Sequence, residues 1–134
     1  MEEIFKASVT TGDVKYKTVC NSRSHSLFVD EPIEKNGGNL GPTPTELLCM
    51  SLAACTSITL KMYSQRKQWD LGEIYVHVTL ERLVDKSIFK KEIRFEKDPG
   101  EEAVKRLLII ADKCPIHKIL HSPNEFITES LKEE

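Results

Sequence analysis

The sequence predicts an α+β fold in which antiparallel β-sheets accompany one long helix. Two pairs of short segments rich in β-branched and aromatic residues are each joined by a turn, which is typical of β-hairpins. Between the pairs lies a long segment with no internal proline or glycine, and it begins with strong helix-initiation signals. A chain of 134 residues fits one domain, so a single domain spanning residues 1–134 is expected.

The N-terminal part of the chain is predicted to form three strands and a loop. Residues 4–9 and 14–19 form the first hairpin around a turn at residues 11–13, and residues 26–29 add a third strand. Proline and glycine recur from residue 30 to residue 42, so this stretch is predicted to be a loop that leads into the main helix.

The main helix has a well-marked start. Thr43 is its predicted N-cap, Pro44 suits the first helical position, and Glu46 completes a T-x-x-E capping box. The helix is predicted to end near Lys67. Residues 47–54 are apolar on almost every face, so other elements or a partner subunit must cover this half of the helix.

The remaining predicted elements follow in order along the chain. They are an antiparallel hairpin of residues 74–80 and 89–95, a helix at 101–113, a short helix at 115–121 and a closing strand at 124–129. The alternation in the hairpin predicts one buried face and one wet face. The apolar face of the 101–113 helix is formed by Val104, Leu107, Leu108 and Ala111.

The charge balance excludes several classes of partner. Lysine and arginine total 19 against 21 acidic residues, a net charge of -2, and no basic block is present, so no nucleic-acid partner is expected. The N-terminus has no basic region followed by an apolar one, and the longest near-apolar stretch is far shorter than a bilayer span. We therefore expect no membrane association and a cytoplasmic location.

Four cysteines, at positions 20, 49, 55 and 114, show no CxxC spacing. Cys114 directly precedes Pro115, which can open a helix, so its sulfur would lie at a helix cap where backbone N–H groups favour a thiolate. The alternative is that Cys114 merely packs between two helices. Cys20 and Cys49 are expected to be structural.

Cys55 has a different setting from Cys114. The middle of a helix offers no free N–H groups, and apolar neighbours raise the pKa of a thiol, so by itself Cys55 is expected to belong to the core. Reaction at neutral pH would require a cation or a hydrogen-bond donor brought by the fold, such as Arg23 or a lysine on an early strand.

Other polar side chains carry weaker signals. Glu46 could orient an arginine, although the capping box explains it without catalysis. Among the four histidines, His117 is the best candidate for a supporting role because it lies one turn from Cys114. Cys114 and His117 alone are too few ligands for a structural zinc, so no metal and no other cofactor is expected.

Several stretches of the sequence resemble the signatures of a known family. Residues 41–48 (GPTPTELL) and 52–56 (LAACT) resemble the central helix of the OsmC/Ohr superfamily, the osmotically inducible and organic hydroperoxide resistance proteins. Residues 111–115 (ADKCP) resemble that family's second cysteine followed by proline. The features that resemble its OsmC-like branch are Arg23, His25, residues 30–32 (DEP) and the glycine pair at 37–38.

The resemblance implies an OsmC-like intertwined homodimer, with long central helices wrapped by antiparallel β-sheets and active sites at the subunit interface. It also implies that Cys55 is the peroxidatic cysteine and Cys114 its resolving partner. An organic hydroperoxide would oxidise Cys55 to a sulfenic acid, and Cys114 would condense with it to a disulfide. A dithiol reductant, for which lipoyl groups are the family's usual candidate, would restore both thiols.

The sequence departs from the family pattern at two positions. The better-characterised members carry a glutamate directly after the helix-opening proline, where this chain has Thr45, and an arginine in an early strand turn, whereas no arginine precedes Arg23. Arg23, Glu46 and His117 are therefore the candidates for an activating or supporting role. Two other hypotheses stay open: a dimer that senses oxidants or binds a small apolar ligand without turnover, and a structural or partner-binding dimer with inert thiols.

Overall fold

A computed structural model describes residues 2–132 of the chain. Three strands, a short 3-10 helix (Ile33–Lys35) and a long helix are followed by two strands and two further helices. Contacts within the chain divide it into two compact units that meet between Cys49 and Met50 in the sequence. The mixture of helices and antiparallel sheets agrees with the predicted α+β class, while the single domain stays a prediction.

The first unit contains a three-stranded antiparallel sheet. β1 (Ser8–Thr11) pairs with β2 (Thr18–Ser22), which also pairs with β3 (His25–Val29). The predicted hairpin and third strand are therefore confirmed, although β1 and β2 begin later than residues 4 and 14. β1 cannot start much earlier, because the ladder already pairs its first residue with Asn21 and β2 ends at the next position.

The loop after β3 is organised around the buried carboxylate of Asp30. This carboxylate accepts backbone hydrogen bonds from Glu31 (2.7 Å), Gly38 (3.3 Å) and Leu40 (3.2 Å). Burial opposes ionisation, but these N–H groups outweigh it and hold the pKa of Asp30 below its ordinary value. A side chain at Gly37 would collide with the backbone carbonyl of Glu31, which explains one glycine of the predicted loop.

The main helix, α1, spans Pro44–Lys67, as predicted. Its capping box is formed: the Thr43 N–H donates to Glu46 Oε1 (2.9 Å), and the Glu46 N–H donates to Thr43 Oγ1 (3.1 Å). These bonds satisfy N–H groups that have no carbonyl partner within the helix. The start of α1 is therefore set by its local sequence.

The surface of α1 is apolar and only partly covered within one chain. Leu52 and Leu60 are buried, whereas the exposed apolar side chains of α1 include Leu48, Met50, Ile58 and Met62. By length and mean hydropathy (1.3), α1 is the one helix within residues 2–132 that reaches the range of membrane-spanning helices, a range that core helices of soluble proteins also reach. Other elements of the same chain therefore bury only part of the apolar surface of α1.

The second unit holds a hairpin and two helices beside the rest of α1. β4 (Ile74–Arg82) pairs antiparallel with β5 (Ser87–Phe95), and α2 (Glu101–Ala111) and α3 (Pro115–His121) follow. The buried core of this unit consists of Leu60, Tyr63, Leu71, Leu107, Ile110 and Ala111. Side chains from α1 and α2 therefore share one core, which fixes the position of the α2–α3 connection.

Three details of the C-terminal prediction are wrong. α2 ends at Ala111 rather than at residue 113, because the next two N–H groups bond to carbonyls three residues back and tighten the last turn. Leu108 is 49% exposed, and Ile110 joins the core instead. Residues 124–129 form no strand, because in the part of the chain that the structure describes their backbone pairs with no other strand.

Candidate active site

The first turn of α3 contacts the sulfurs of both predicted reactive cysteines. Cys55 lies in the middle of α1, and Cys114 is the N-cap of α3, directly before Pro115. The Ile116 N–H donates to the Cys55 sulfur (N to Sγ 3.5 Å), and the His117 N–H donates to the Cys114 sulfur (3.3 Å). N–H groups at a helix start have no carbonyl partner within the helix, so α3 can bind two sulfurs there.

The Cys55 thiol is partly buried, and its pKa is raised above the ordinary value. Burial is the largest cause. The Ile116 N–H acts in the opposite direction and so does the hydroxyl of Thr59, while the neighbouring Cys114 raises the pKa of Cys55 further. The raised pKa expected for a cysteine in the middle of an apolar helix therefore agrees with the structure. Cys55 is protonated at neutral pH in this chain.

Cys114 has no exposed surface, yet its pKa is lowered. Burial alone would raise the pKa of this thiol, but its contact with the Thr56 hydroxyl (3.5 Å), the hydrogen bond from the His117 N–H and the neighbouring Cys55 outweigh burial. The positive charge of Lys91 adds to the same effect. The predicted cap position of Cys114 and its lowered pKa are both confirmed.

Each of the two free thiols also affects the pKa of the other. The neighbouring Cys114 raises the pKa of Cys55, and the neighbouring Cys55 lowers that of Cys114. When the reduced pair carries one negative charge, the charge therefore resides on Cys114, whose pKa is the lower of the two.

Lys91 brings a positive charge into this site from β5. Its ammonium donates to the carbonyl of Ala111 (2.9 Å) and lies 3.7 Å from Asp112 Oδ1. Both partners belong to the end of α2, next to the connection that carries Cys114. The Lys91 side chain is 9% exposed, so water screens its charge only weakly.

His117 lies beside the thiols in the first turn of α3. Its Nδ1 is 3.8 Å from Asp112 Oδ1, and its ring stacks on that of His121 with centroids 6.1 Å apart. Burial and then the charge of Lys91 lower the pKa of His117, although Asp112 acts in the opposite direction. His117 is therefore a neutral imidazole at pH 7, able to donate or accept a hydrogen bond.

A small apolar cavity of about 130 Å³ lies in the same unit. It is lined by Leu52, Phe89, His117, Leu120 and His121. Leu52 is one helical turn before Thr56, whose hydroxyl donates to the Leu52 carbonyl (2.8 Å) and also contacts Cys114. His117 and Leu52 thus link the cavity to the two thiols.

The other predicted supporting residues belong to the first unit, where local structure explains them. Arg23 lies in the turn between β2 and β3 with a left-handed φ of 54°, and the Glu46 carboxylate caps α1. Cys20 pairs with Val9 and Leu27 in the sheet. The supporting roles of Arg23 and Glu46 stay predictions. Within residues 2–132, no three His, Cys, Asp or Glu side chains group closely enough to hold a metal ion.

Sequence analysis does not single out two residues of the site, Thr56 and Lys91. The contact of Thr56 with Cys114 depends on tertiary packing and leaves no local signal. Lys91 does leave a local signal in the sequence. It lies on the half-buried face of β5, and the residues between those of this face are exposed. The other residues of the face are Phe89, Ile93 and Phe95. A lysine in an apolar register needs a buried partner, and this pattern would have marked it.

The fold and the paired thiols define the class as an α+β protein with a dithiol site. The family model described as OsmC-like protein matches residues 37–129, which is most of the chain. The protein therefore belongs to the OsmC-like family, and the membership predicted from the sequence signatures is confirmed. None of the curated proteins matches this sequence.

Solved structures of this family share the fold. A Psychrobacter arcticus protein provisionally assigned to osmotic stress induction and the detoxification response is 22% identical with a TM-score of 0.75, covering 90% of this chain and 91% of its own. An OsmC-like protein from Mycoplasma pneumoniae is 18% identical, with a TM-score of 0.71 and coverages of 90% and 89%. The organic hydroperoxide resistance protein OhrB of Bacillus subtilis is 20% identical, with a TM-score of 0.59 and coverages of 89% and 91%. At these identities the likeness concerns the fold alone.

Proposed function

We propose that this protein is a thiol-dependent peroxidase that reduces organic hydroperoxides through a Cys55–Cys114 disulfide cycle. The observation that carries the proposal is that the first turn of α3 donates N–H groups to the sulfurs of two free thiols, Cys55 and Cys114. Membership of the OsmC-like family supports it, because structural neighbours from Bacillus subtilis and Legionella pneumophila are named organic hydroperoxide resistance proteins.

The first step is attack of the Cys55 sulfur on the distal oxygen of the hydroperoxide. The S–O bond forms as the O–O bond breaks, and the peroxide is reduced to an alkoxide while Cys55 is oxidised to a sulfenic acid. The proton of the Cys55 thiol ends on the alkoxide, which leaves as an alcohol. Cys55 is the sulfur for this step because it is partly exposed, whereas Cys114 is fully buried.

In the second step the Cys114 thiolate attacks the Cys55 sulfenic acid. The S–S bond forms, the S–O bond breaks, and the departing hydroxide takes up a proton to become water. An external dithiol of the lipoyl type then reduces the disulfide by exchange and is itself oxidised to a disulfide. Return to the dithiol state requires a reducing compartment, so we propose that the cycle runs in the cytoplasm.

The apolar cavity is the proposed site for the organic part of the substrate. Its apolar lining side chains Leu52, Phe89 and Leu120 suit an alkyl or aryl group better than the small polar hydrogen peroxide. His117, a neutral imidazole on the cavity wall, is placed to hydrogen-bond the peroxide or the leaving alcohol.

We propose that the active form is a homodimer. The exposed apolar side chains of α1 supply a surface that a second copy would bury, and the raised pKa of Cys55 in one chain calls for a donor or cation from outside it. A dimeric mass by light scattering at micromolar concentration is expected. A monomeric mass would count against both the dimer and this source of activation.

A second candidate function is redox sensing or small apolar ligand binding without turnover. Two observations favour it: the pKa of Cys55 is raised mainly by burial, and Thr45 stands where the family's glutamate is expected. In this case the dithiol pair would react slowly with oxidants, and the cavity would hold a ligand rather than a substrate.

The experiment that separates the two functions adds one equivalent of cumene hydroperoxide to the reduced protein. Peroxide loss is followed in time, and cysteine linkages are mapped by mass spectrometry. The peroxidase predicts loss within seconds to minutes together with a Cys55–Cys114 disulfide. Peroxide that persists for hours while both thiols stay free would exclude the peroxidase and leave sensing or binding.

Two variants make the result specific. Cys55→Ser should abolish peroxide loss, because it removes the attacking sulfur. Cys49→Ser is the matched control, since Cys49 lies in the same helix but outside the thiol pair, and it should behave as the parent protein.

A further inference from the structure

A lysine occupies an apolar position of β5. The half-buried face of this strand carries Phe89, Lys91, Ile93 and Phe95, and the residues between them point to solvent. The Lys91 side chain is 9% exposed, whereas that of its neighbour Lys90 is 67% exposed. Burying an ammonium is unfavourable unless it is paired, so the position of Lys91 requires an explanation in its contacts.

The contacts of Lys91 leave much of its charge available. One hydrogen bond goes to the carbonyl of Ala111 at the end of α2, a favourable place for a cation. The carboxylate of Asp112 is 3.7 Å away but 67% exposed, and water screens much of its attraction. A buried ammonium with one partly solvated counter-ion retains a field that acts on its other neighbours.

That field acts on the part of the site that carries Cys114. The groups that face the Cys114 sulfur are the Thr56 hydroxyl and Cys55 from α1, the His117 N–H from α3, and the Lys91 charge from β5. The same charge lowers the pKa values of both Cys114 and His117, so it acts on the thiol and on the imidazole beside it. Lys91 is the member of this group that supplies a full positive charge.

We propose that Lys91 is a positioning residue of the dithiol site, whose buried ammonium holds Cys114 as the thiolate that closes and reopens the disulfide. The inference rests on the disulfide cycle proposed above. It assigns the cation to the second cysteine rather than to the peroxide-attacking one.

The charge acts in two steps of the cycle. When the disulfide closes, Lys91 stabilises the Cys114 thiolate that attacks the Cys55 sulfenic acid and displaces hydroxide. When it reopens, a thiolate of the external dithiol attacks the more exposed Cys55 sulfur, the S–S bond breaks, and Cys114 leaves as the stabilised thiolate. The second thiol of the reductant then attacks the mixed disulfide, and Cys55 leaves and takes up a proton.

The test measures the ionisation of Cys114 as the sole thiol of the protein. In a chain carrying Cys20→Ser, Cys49→Ser and Cys55→Ser, thiolate absorbance at 240 nm is titrated against pH. Lys91→Met and Lys91→Gln should each reduce the thiolate population at pH 7.5 by about threefold, as expected for loss of one nearby charge. Lys91→Arg should restore it, and the matched control Lys90→Met should leave it unchanged.

A second variant keeps the test decisive if the uncharged Lys91 variants do not fold. Asp112→Asn, at an exposed position, removes the counter-charge of Lys91 and should raise the Cys114 thiolate population. Equal titrations in the parent and the folded Lys91 variants would overturn the inference. An unchanged titration in Asp112→Asn would do the same.

Kinetics in the otherwise unmodified chain separate this inference from the proposed function. Lys91→Met should slow disulfide formation about threefold at pH 7.5, so that dimedone traps more Cys55 sulfenic acid. Normal peroxide loss with unaltered disulfide closure in Lys91→Met would refute the role of Lys91 and leave the peroxidase intact. If the parent protein removes no peroxide, the peroxidase is refuted. A Cys114 titration that still shifts in the Lys91 variants would then support the effect of Lys91 on Cys114 alone.

Discussion

Cys55 and Cys114 present the same chemical group in two opposite settings. Cys55 lies in the middle of α1, where helical N–H groups already bond to carbonyls, and burial raises the pKa of its thiol. Cys114 lies at the start of α3, where N–H groups are free, and its pKa falls although the residue is fully buried. Burial raises the pKa of both thiols, and the groups around the Cys114 sulfur reverse that direction there.

The two settings also suit different steps of a disulfide cycle. The partly exposed Cys55 is the sulfur that an oxidant can reach, while the buried Cys114 has the lowered pKa and is shielded from solvent. A single reactive cysteine would have to be both exposed and readily ionised. In this protein one cysteine is partly exposed and the other ionises more readily. Variants that alter one setting at a time test this division.

The largest expected effect comes from removing the buried partner. Cys114→Ser should allow one turnover of peroxide but block disulfide formation, so that repeated turnover with a dithiol falls at least about a hundredfold. Dimedone should then label Cys55 as a sulfenic acid, which mass spectrometry detects. Unimpaired repeated turnover in Cys114→Ser would show that Cys114 is not the resolving thiol.

Alkylation of the reduced protein compares exposure with ionisation directly. Iodoacetamide at pH 7.5 should modify Cys55 at least about tenfold faster than Cys114, because the Cys114 sulfur requires local opening before reagent can reach it. The rate at Cys55 should increase with pH up to its raised pKa. Peptide mapping at timed intervals measures both rates, and faster labelling of Cys114 would reverse the assignment.

Two hydroxyl deletions on α1 should affect one thiol each. Thr56→Val removes a hydroxyl that contacts Cys114 and should lower the Cys114 thiolate population several-fold, with about 1 kcal/mol of lost stability from the bond to Leu52. Thr59→Val should act on Cys55 alone, raising its pKa further. Absorbance titrations of single-thiol proteins and urea unfolding provide the measurements. If both variants changed the ionisation of Cys114 equally, the two thiols would not respond to separate hydroxyl groups.

The smallest expected effect is on the pH dependence of stability. Because the folded pKa of Cys114 is lowered, its contribution is present above the unfolded thiol pKa of about 8.5 and is lost as pH falls through the folded value. Because the folded pKa of Cys55 is raised, its contribution is present below about 8.5 and is lost as pH rises through the folded value.

Urea unfolding under reducing conditions at pH 7 and pH 9.5 should reveal these opposite signs. Relative to the parent, Cys114→Ser should lose stability as the pH rises, and Cys55→Ser should gain it. Cys49→Ser is the reference, since Cys49 lies in the same helix as Cys55 but outside the thiol pair. The same trend in both site variants would show that the two thiols do not titrate in opposite directions.

Prediction from the sequence succeeds where local chemistry decides the structure. The capping box of Thr43 and Glu46 marks the start of α1 because its bonds join residues three apart. Prediction fails at residues 124–129, since a strand requires an edge to pair with and a composition that favours strands does not provide one. It also fails at Leu108, because one position on a helix face can shift with the packing of the neighbouring elements.

The sequence by itself determined the order of the helices and strands as far as α3, the family and the cap position of Cys114. The elements follow from periodicity, the cap position of Cys114 follows from the proline at a helix start, and the family follows from the resemblance of its signature stretches. Only the tertiary structure decided which groups meet at the sulfurs. The Ile116 N–H reaches Cys55 across 61 residues of sequence, Thr56 reaches Cys114 across 58, and Lys91 reaches the end of α2 across 20. Such contacts depend on how the core joins α1, α2 and β5, and no local pattern specifies that packing.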